Sequence, residues 1–255
     1  IELEHRLAQF LIKEAVLLYT TGFQVNLGVI PTITQPNDLI ILDRLDHASI
    51  IEGARLSKAS YVMFKHNDMV SLEQKLIQAK DAEMKLIVVD GVFSMEGDLA
   101  NLKGITELAK QYNAVVMSDC AHAIGVIGKY GAGAASHFDI EDQVDLIGGT
   151  FSKSLASIGG FIASDAATVE YIKHNSRSLI FSASPTPAAV AAALASLDII
   201  ESDDSLRLKL LNNTQFAISK FKSLGFDIGN TETPIIPLYI RNDKKTHELA
   251  MLLLR

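Results

Sequence analysis

The chain has 255 residues, 48% hydrophobic and 21% charged, which suits one large globular domain with a sizeable core. Its formal net charge of -7 does not favour attraction to a phosphate backbone, so we expect no nucleic-acid partner. The one cysteine, Cys120, excludes an internal disulfide and a Cys-rich metal site, and it favours a cytoplasmic location. No apolar run is long enough to span a bilayer, so we expect peripheral membrane contact at most.

Apolar stretches of strand length alternate with amphipathic helical stretches along the chain. Candidate strands are 39–43, 61–66, 85–93, 113–120, 145–151, 159–164 and 179–184. Leucines at helical spacing predict helices over 71–81 and 101–112, and two long helices follow over 186–201 and 204–223. Strands that are apolar throughout and separated by helices indicate an α/β fold with a mostly parallel central sheet covered by helices.

The two ends of the chain differ from this pattern. Residues 1–19 begin directly with apolar positions at helical spacing, and 244–255 place four leucines on one helix face just before the last residue. We therefore expect this sequence to be the middle of a longer protein. The apolar segment 233–240 predicts the first strand of a smaller C-terminal α/β domain. We expect a large domain over 1–225 and the start of a second over 226–255.

Polar side chains cluster where four of the predicted strands end, at the edge where ligands bind in such sheets. They are His47; Asp90, Ser94, Glu96 and Asp98; Asp119 and His122; and Thr150, Ser152 and Lys153. A single Asp after a strand is more often a helix cap than a catalyst, and Asp90, Ser94 and Glu96 could equally cap the following turn. Four such endings in one sheet favour a functional site.

The segment "GGTFSKS" (148–154) places the amine of Lys153 beside the hydroxyls of Thr150 and Ser152. A lysine near apolar surface becomes a usable amine for a carbonyl, whereas a lysine in an open loop stays solvated. Hydroxyls and the free N–H groups of glycines suit an anion. Together with a carboxylate that keeps a pyridine nitrogen protonated, these groups meet the needs of pyridoxal phosphate.

Five motifs carry a resemblance to a known family: "DHASIIEGARLSKA", "FKHND", "DGVFSMEGDLANL", "SDCAHAIGVIGKYGAG" and "GTFSKSLASIGGF". In order and spacing they resemble the alpha-oxoamine synthases, which are fold-type I pyridoxal phosphate enzymes, over nearly the whole chain. Members condense an amino acid with an acyl-CoA and release coenzyme A and carbon dioxide. The resemblance therefore implies the fold-type I transferase architecture and a PLP-dependent acyltransferase.

Within the family, "HNSRSLIFSAS" and "ASHF" are most similar to the bacterial members that use L-serine and palmitoyl-CoA. That similarity implies a decarboxylative condensation giving 3-ketosphinganine, the first step of sphingolipid synthesis. Two alternatives remain: a sister enzyme that uses glycine or alanine with another acyl-CoA, and a non-catalytic subunit of the same fold. The second alternative requires loss of the Schiff-base lysine, and Lys153 is present in its full motif.

The resemblance assigns catalytic roles to four matching positions. It implies that Lys153 forms a Schiff base with the cofactor and later removes the alpha proton of the amino acid. Asp119 would pair with the pyridine nitrogen, and His122 would lie near the phenolic oxygen of the ring. His47 would stack on the pyridine ring and hydrogen-bond the substrate carboxylate.

The resemblance also assigns the phosphate contacts. These are the side chains of Thr150 and Ser152, the backbone of Gly22 and Phe23, and Ser182, which would reach the phosphate of the neighbouring subunit. The family builds its site across a dimer interface, so a homodimer is expected. The carboxylate-binding arginine of the family would lie beyond Arg255, and its glycine-rich substrate segment before Ile1.

Cys120 differs from the family pattern, and one glycine-rich segment allows another functional interpretation. Cys120 stands where an acidic residue is common after the pyridine aspartate; we expect its side chain to point away from the ring, with a reactive thiol as the alternative. The glycines of "GVIGKYGAG" do not follow a strand in the G-x-G-x-x-G register, so dinucleotide binding is not favoured.

Overall fold

The computed structural model describes residues 1–254, which divide into two compact units. The first unit comprises Ile1–Phe93 and Leu99–Asp204 and contains the whole sheet. The second comprises Ser94–Asp98 together with the residues from Ser205 onward. The predicted domain boundary at residue 225 stays a prediction.

A sheet of seven strands forms the centre of the first unit. The strands are β1 (Ala15–Tyr19), β2 (Leu39–Asp43), β3 (Ser60–Phe64), β4 (Lys85–Asp90), β5 (Val115–Asp119), β6 (Leu146–Thr150) and β7 (Gly160–Ser164). Their order is β1-β7-β6-β5-β4-β2-β3. The strands from β6 to β3 pair in parallel, whereas β7 runs antiparallel to both β1 and β6. This confirms the predicted mostly parallel α/β sheet.

Helices connect the strands and extend the chain into the second unit. They are α1 (Glu2–Leu11), α2 (Gly22–Ile33), α3 (Ala48–Leu56), α4 (Met69–Gln78), α5 (Leu102–Tyr112), α6 (Ala134–His137), α7 (Ala166–Asn175), α8 (Arg177–Ile180), α9 (Pro187–Ser202), α10 (Ser205–Ser223) and α11 (Asp243–Leu253). Side-chain caps start several of them: Thr21 accepts from Gln24 N–H at α2, and Asn101 accepts from Gly104 N–H at α5.

The central strands are buried because helices cover the sheet on its faces. Every residue of β6 and β7 is buried, as are all but the first residues of β2, β4 and β5. Such strands are apolar throughout, which is why the sequence pattern located them. Strand β3 is at an edge of the sheet and is mostly exposed, and its apolar pattern is correspondingly weaker.

The predicted strand over 179–184 is wrong. The chain there forms the single helical turn α8 and then continues without regular structure. Leu179 packs against the core, whereas Phe181 is 80% exposed. The apolar run is short and lies against α2 rather than at a sheet edge, so no ladder is available to it.

The predicted strand over 233–240 is also wrong, since this segment pairs with no strand among the described residues. Pro234 and Pro237 have no backbone N–H, and each removes a donor that a ladder needs. The segment is held in other ways within the second unit. The hydroxyl of Thr233 donates to the carbonyl of Gly97 at 2.8 Å, and Tyr239 N–H donates to Asp227 at 2.8 Å.

Strand β1 was not predicted. The helical spacing that begins the chain does produce α1, whose Leu3, Leu7 and Leu11 are buried, but the helix stops at Leu11. Ile12 then adopts a left-handed conformation (φ 56°), which ends the helix before the strand begins. The apolar residues of 15–19 continue the helical spacing closely enough to hide the change.

Candidate active site

Polar residues end four neighbouring strands at one edge of the sheet. Asp43, Asp90, Asp119 and Thr150 are the last residues of β2, β4, β5 and β6. The register places Asp90 directly beside Asp119. Because parallel strands end at the same edge, the chain after each strand carries its side chains to one place. The structure therefore brings the predicted residues Asp90, Asp119 and Thr150 to one edge of the sheet.

Lys153 lies in the turn after β6 and carries an amine with altered acidity. Removal from water lowers the pKa of Lys153, while the negative charges of Asp119 and Asp90 oppose that shift. The side chain retains access to solvent. An amine whose pKa is lowered is more often neutral and so more nucleophilic toward a carbonyl. The environment of Lys153 suits attachment to an aldehyde.

His122 follows β5 and is neutral over the physiological range. Burial lowers its pKa to about 4, and the positive charge of Lys153 acts in the same direction. The charge of Asp119 opposes the shift but does not overcome it. A neutral imidazole beside an amine can accept or donate a hydrogen bond without adding a second positive charge.

The carboxyl group of Asp119 is buried and held by two donors. Its Oδ1 accepts from Ala121 N–H at 3.0 Å, and its Oδ2 accepts from the side-chain amide of Asn26 at 2.7 Å. Asn26 is 0% exposed and belongs to α2. Sequence reasoning missed it, because an asparagine inside an apolar helical stretch gives no signal of its partner.

His47 caps the start of α3, and three contacts fix it. Its backbone N–H donates to Oδ2 of Asp90 at 2.8 Å. Its Nδ1 lies 2.8 Å from Oγ of Ser49 and accepts from Ser49 N–H at 3.2 Å. The residue is exposed, with the ring of Phe23 edge-on at 6.5 Å between centroids. One side of the imidazole is therefore anchored while the rest stays accessible.

The start of α2 and the end of β6 form a cradle of backbone N–H groups and hydroxyls, in which Thr150 Oγ1 also donates to the carbonyl of Gly159 at 3.0 Å. Gly22 and Phe23 begin the helix, and no acidic residue lies in its first turn. A Cβ on Gly22 would lie 2.7 Å from Cβ of Thr150, so only glycine permits this close approach. The hydroxyl of Thr150 lies 2.9 Å from that of Ser152. Helix N-terminal N–H groups with adjacent hydroxyls fit a phosphate.

Ser182 lies beside the start of α2 in the same chain. Its Oγ accepts from the side-chain amide of Gln24 at 3.1 Å, and the residue is half-buried. Its expected contact with the phosphate of a neighbouring subunit stays a prediction.

Asp46 has a buried carboxyl group at the site, and the sequence analysis did not single it out. Oδ1 of Asp46 accepts from Asp90 N–H at 2.9 Å, and Oδ2 accepts from Asp43 N–H at 2.8 Å. Burial, followed by the nearby charge of Asp90, raises the pKa of Asp46 well above its usual range. Asp46 thus ties the end of β2 to the end of β4.

Four further residues of the sequence motifs are Cys120, Ser94, Glu96 and Asp98. Cys120 is 1% exposed, and burial raises the pKa of its thiol to about 11, so the thiol stays protonated and shielded. Ser94, Glu96 and Asp98 belong to the second compact unit. Among the described residues no group of His, Cys, Asp and Glu is arranged to hold a metal ion.

Comparison with known proteins identifies the family. The model of the aminotransferase class I and II family matches residues 1–255, and the chain belongs to that family. Its relatives and structural neighbours place it among the alpha-oxoamine synthases, as the five sequence motifs predicted.

The curated relatives include enzymes of two names. The chain is 52% identical over 253 residues to a serine palmitoyltransferase of Sphingobacterium spiritivorum, covering 99% of this chain and 63% of that protein. It is 49% identical over 251 residues to an 8-amino-7-oxononanoate synthase of Petrotoga mobilis, covering 98% of this chain and 64% of that protein. The chain therefore spans less than two thirds of the length of these relatives.

Solved structures show the same pair of names. A serine palmitoyltransferase of S. paucimobilis with bound PLP and myriocin superposes with a TM-score of 0.92 at 33% identity, covering 96% of this chain and 64% of that one. An 8-amino-7-oxononanoate synthase of Francisella tularensis gives a TM-score of 0.88 at 26% identity, covering 99% and 74%. These matches confirm the predicted fold-type I architecture.

Proposed function

We propose that this chain carries the core of a PLP-dependent alpha-oxoamine synthase that condenses L-serine with a long-chain acyl-CoA, palmitoyl-CoA, to give 3-ketosphinganine, coenzyme A and carbon dioxide. The observation that carries the proposal is the convergence of an amine with a lowered pKa, a buried carboxylate and an anion cradle at one sheet edge. The names of the most similar relatives support the reaction class.

The residues present fit pyridoxal phosphate. The N-terminus of α2 at Gly22 and Phe23, with the hydroxyls of Thr150 and Ser152, would hold its phosphate. Ser182 of the neighbouring subunit would complete that cradle in a homodimer. When bound, the cofactor supplies an aldehyde for attachment to an amine and a ring that accepts the electron pair of a broken bond at the alpha carbon.

The side chains of the site divide the remaining work. Lys153 Nζ would hold the cofactor and, once released, would take the alpha proton of serine. Asp119 would keep a proton on the pyridine nitrogen, since its carboxyl group is held in place by Asn26 and Ala121. His122 would donate a hydrogen bond toward the phenolic oxygen. His47 would lie against the ring and orient the substrate carboxylate, so that the reacting bond stays aligned.

The identity of the amino acid is the finer part of the proposal. Serine is favoured by the higher identity to serine palmitoyltransferases, 52% against 49% for the 8-amino-7-oxononanoate synthase of Petrotoga mobilis. A sister synthase that uses glycine or alanine is the second candidate. A non-catalytic subunit is disfavoured because Lys153 and its surroundings are intact.

The setting of the reaction is likewise proposed. We propose a homodimer whose two subunits share each site, located in the cytoplasm and able to meet lipid substrates at a membrane surface. No helix among the described residues is long and apolar enough to cross a membrane. The division into a large domain (1–225) and the start of a smaller one (226–255) belongs to the same proposal.

A spectral titration tests the substrate assignment. The intact protein is loaded with PLP and titrated with L-serine, glycine and L-alanine, and its products with acyl-CoAs of several lengths are identified by mass spectrometry. We expect L-serine to change the cofactor absorbance at the lowest concentration, and palmitoyl-CoA to give a 3-keto amino alcohol. A stronger response to glycine or L-alanine, with a shorter or different acyl-CoA accepted in place of palmitoyl-CoA, would support the second candidate instead.

A further inference from the structure

A continuous line of hydrogen bonds joins Asp119 to His47 through two buried side chains. The amide nitrogen of Asn26 lies 2.7 Å from Oδ2 of Asp119 and 2.9 Å from Oγ of Ser49. Oγ of Ser49 lies 2.8 Å from Nδ1 of His47. Asn26 and Ser49 are 0% and 1% exposed, so their side chains are shielded from water.

Close packing of α2 on α3 brings the two buried residues together. Asn26 is in α2, and Ser49 is in the first turn of α3. Gly53 of α3 faces the backbone carbonyl of Asn26, where an added Cβ would lie 2.6 Å from the oxygen. The glycine therefore allows the approach that lets the short side chains of Asn26 and Ser49 meet.

The backbone N–H of Ser49 decides which way the protons lie at the His47 end of this line. The Asn26 amide turns its NH₂ toward Oδ2 of Asp119 and places its second N–H on Ser49 Oγ. Ser49 N–H donates to Nδ1 of His47 at 3.2 Å, so that nitrogen must be an acceptor. The hydroxyl hydrogen of Ser49 is then the one available for the 2.8 Å contact between Oγ and Nδ1.

The side-chain oxygen of Asn26 shows what this arrangement costs. Oδ1 of Asn26 is buried and has no hydrogen-bond partner within the described part of the chain. A buried acceptor without a partner destabilises the fold, and native proteins keep few of them. Both N–H groups of Asn26 are committed to Asp119 and Ser49 at the expense of its oxygen.

We infer that Asn26 and Ser49 are positioning residues that hold His47 in the tautomer with its proton on Nε2. Two donors reach Nδ1, so that nitrogen accepts and the proton lies on Nε2, on the unanchored part of the ring. His47 then presents an N–H donor, which is the group that a substrate carboxylate needs. The inference rests on the proposed function for the identity of that substrate, but the tautomer itself does not.

The tautomer can be measured in the cofactor-free protein. In the intact protein labelled with ¹⁵N-histidine, at about pH 8 where an ordinary imidazole is neutral, nitrogen shifts separate protonated from unprotonated ring nitrogens. The His47 signals are assigned by their loss in His47→Gln. We expect Nδ1 of His47 to be unprotonated and Nε2 to be protonated. A proton on Nδ1 overturns the inference.

Two variants and a matched control test the line itself. Ser49→Ala removes the shorter of the two donors to Nδ1, so we expect a mixture of tautomers and at least a several-fold weaker response of the PLP-loaded protein to L-serine. Asn26→Leu should disturb His47 in the same way and, in addition, slow the exchange of the alpha proton that depends on Asp119. Ser164→Ala removes another buried serine, in β7, whose hydroxyl donates to the backbone carbonyl of Asp145, and it should change neither readout.

The outcomes separate this inference from the proposed function. Unchanged His47 shifts in Ser49→Ala overturn the positioning role, whatever the activity. Failure of Lys153 to capture PLP, with the Nε2 tautomer intact, overturns the proposed function and leaves the tautomer assignment standing. If Asn26→Leu does not fold, the Ser49→Ala and Ser164→Ala pair still decides the question.

Discussion

The backbone N–H of His47 donates to the carboxyl group of Asp90 at 2.8 Å. Asp90 is itself fixed, because its own N–H donates to Asp46 at 2.9 Å. The turn that carries His47 is therefore held by hydrogen bonds from main-chain N–H groups to the carboxyl groups of Asp90 and Asp46, independently of the imidazole. Substitution of the His47 side chain should leave this turn in place, so the role of the ring can be tested by itself.

The pKa of Asp90 is raised well above its usual range, first by burial and then by the charge of Asp119. The hydrogen bond from His47 and the charge of Lys153 act against that rise. Two adjacent carboxyl groups at one sheet edge therefore have different roles, since Asp119 faces the amide of Asn26 whereas Asp90 supports the backbone.

The first prediction concerns Lys153 as the attachment point of PLP. The loaded protein should be yellow, and reduction with borohydride should abolish its absorbance band and leave the cofactor on the peptide that contains Lys153. Lys153→Ala should retain no label after reduction. Lys129→Ala, a change at an exposed lysine in another turn, should be labelled like the wild type. Label recovered on any other lysine contradicts the assignment.

The second prediction concerns Asp119. In Asp119→Asn the negative charge that keeps the pyridine nitrogen protonated is lost, and charge-assisted hydrogen bonds of this kind contribute about 1.5–3 kcal/mol. We expect PLP to bind, but exchange of the alpha proton of serine with solvent deuterium, followed by NMR, should slow roughly 10- to 150-fold.

A matched control for Asp119→Asn is Asp165→Asn. Asp165 accepts from Thr168 N–H at the start of α7, and asparagine can cap that helix as well. Exchange should therefore be unaffected there. Near wild-type exchange in Asp119→Asn would mean that another carboxyl group serves the pyridine nitrogen.

The sequence located the site better than it located the supporting residues. Asp119, Thr150 and Lys153 were visible because each follows an apolar run, and the carboxyl ends of parallel strands share an edge. Asn26 and Ser49 were not visible, because their importance depends on the packing of α2 on α3, which no local pattern encodes.

Two strand predictions are wrong because a local apolar pattern does not show whether a segment has a neighbouring strand to pair with. Segments 39–43 and 145–151 lie within the buried centre, where continuous apolar residues are required. Segment 179–184 has similar residues, but it packs on α2 instead of pairing in the sheet. Segment 233–240 belongs to the second unit, and its apolar residues pack there. Its two prolines lack the backbone N–H groups that pairing with a neighbouring strand requires.

The third prediction concerns Cys120. Its thiol is buried, and burial raises its pKa to about 11, so thiolate is scarce at neutral pH. We expect no reaction of the native protein with a thiol reagent over hours, and one equivalent after unfolding in guanidinium. Stoichiometric modification of the native protein, with loss of PLP capture, would revive the reading of Cys120 as a reactive residue.

The fourth prediction links His122 to stability in the cofactor-free protein. Its folded pKa of about 4 lies below the ordinary 6.5, so between these values the unfolded state binds more protons. The free energy of unfolding should therefore rise with pH from about 4 to 6.5 and not change further on account of His122. The imidazole is partly open to solvent, so we expect a contribution of about 1 kcal/mol, less than the full shift implies.

Urea unfolding at several pH values measures this contribution as the difference between wild type and His122→Gln. The difference should change across the acid range and be constant above pH 6.5. His5→Gln, a change on exposed surface of α1, controls for the loss of a histidine and should follow the wild-type curve. A His122→Gln curve parallel to the wild type throughout would show that His122 is protonated equally in both states.

The last prediction separates the ring of His47 from the amine of Lys153. His47→Ala leaves the amine in place, and the turn stays anchored through Asp90, so the protein should bind PLP and L-serine. Without the imidazole ring of His47, serine would be less well aligned, so side reactions such as transamination or early decarboxylation would compete with the condensation. We expect little keto product with palmitoyl-CoA and a slow accumulation of pyridoxamine phosphate. Chromatography of the released cofactor measures this accumulation. His47→Ala that loses PLP outright, or that condenses serine at the wild-type rate, would leave His47 with only its structural role as the cap of α3.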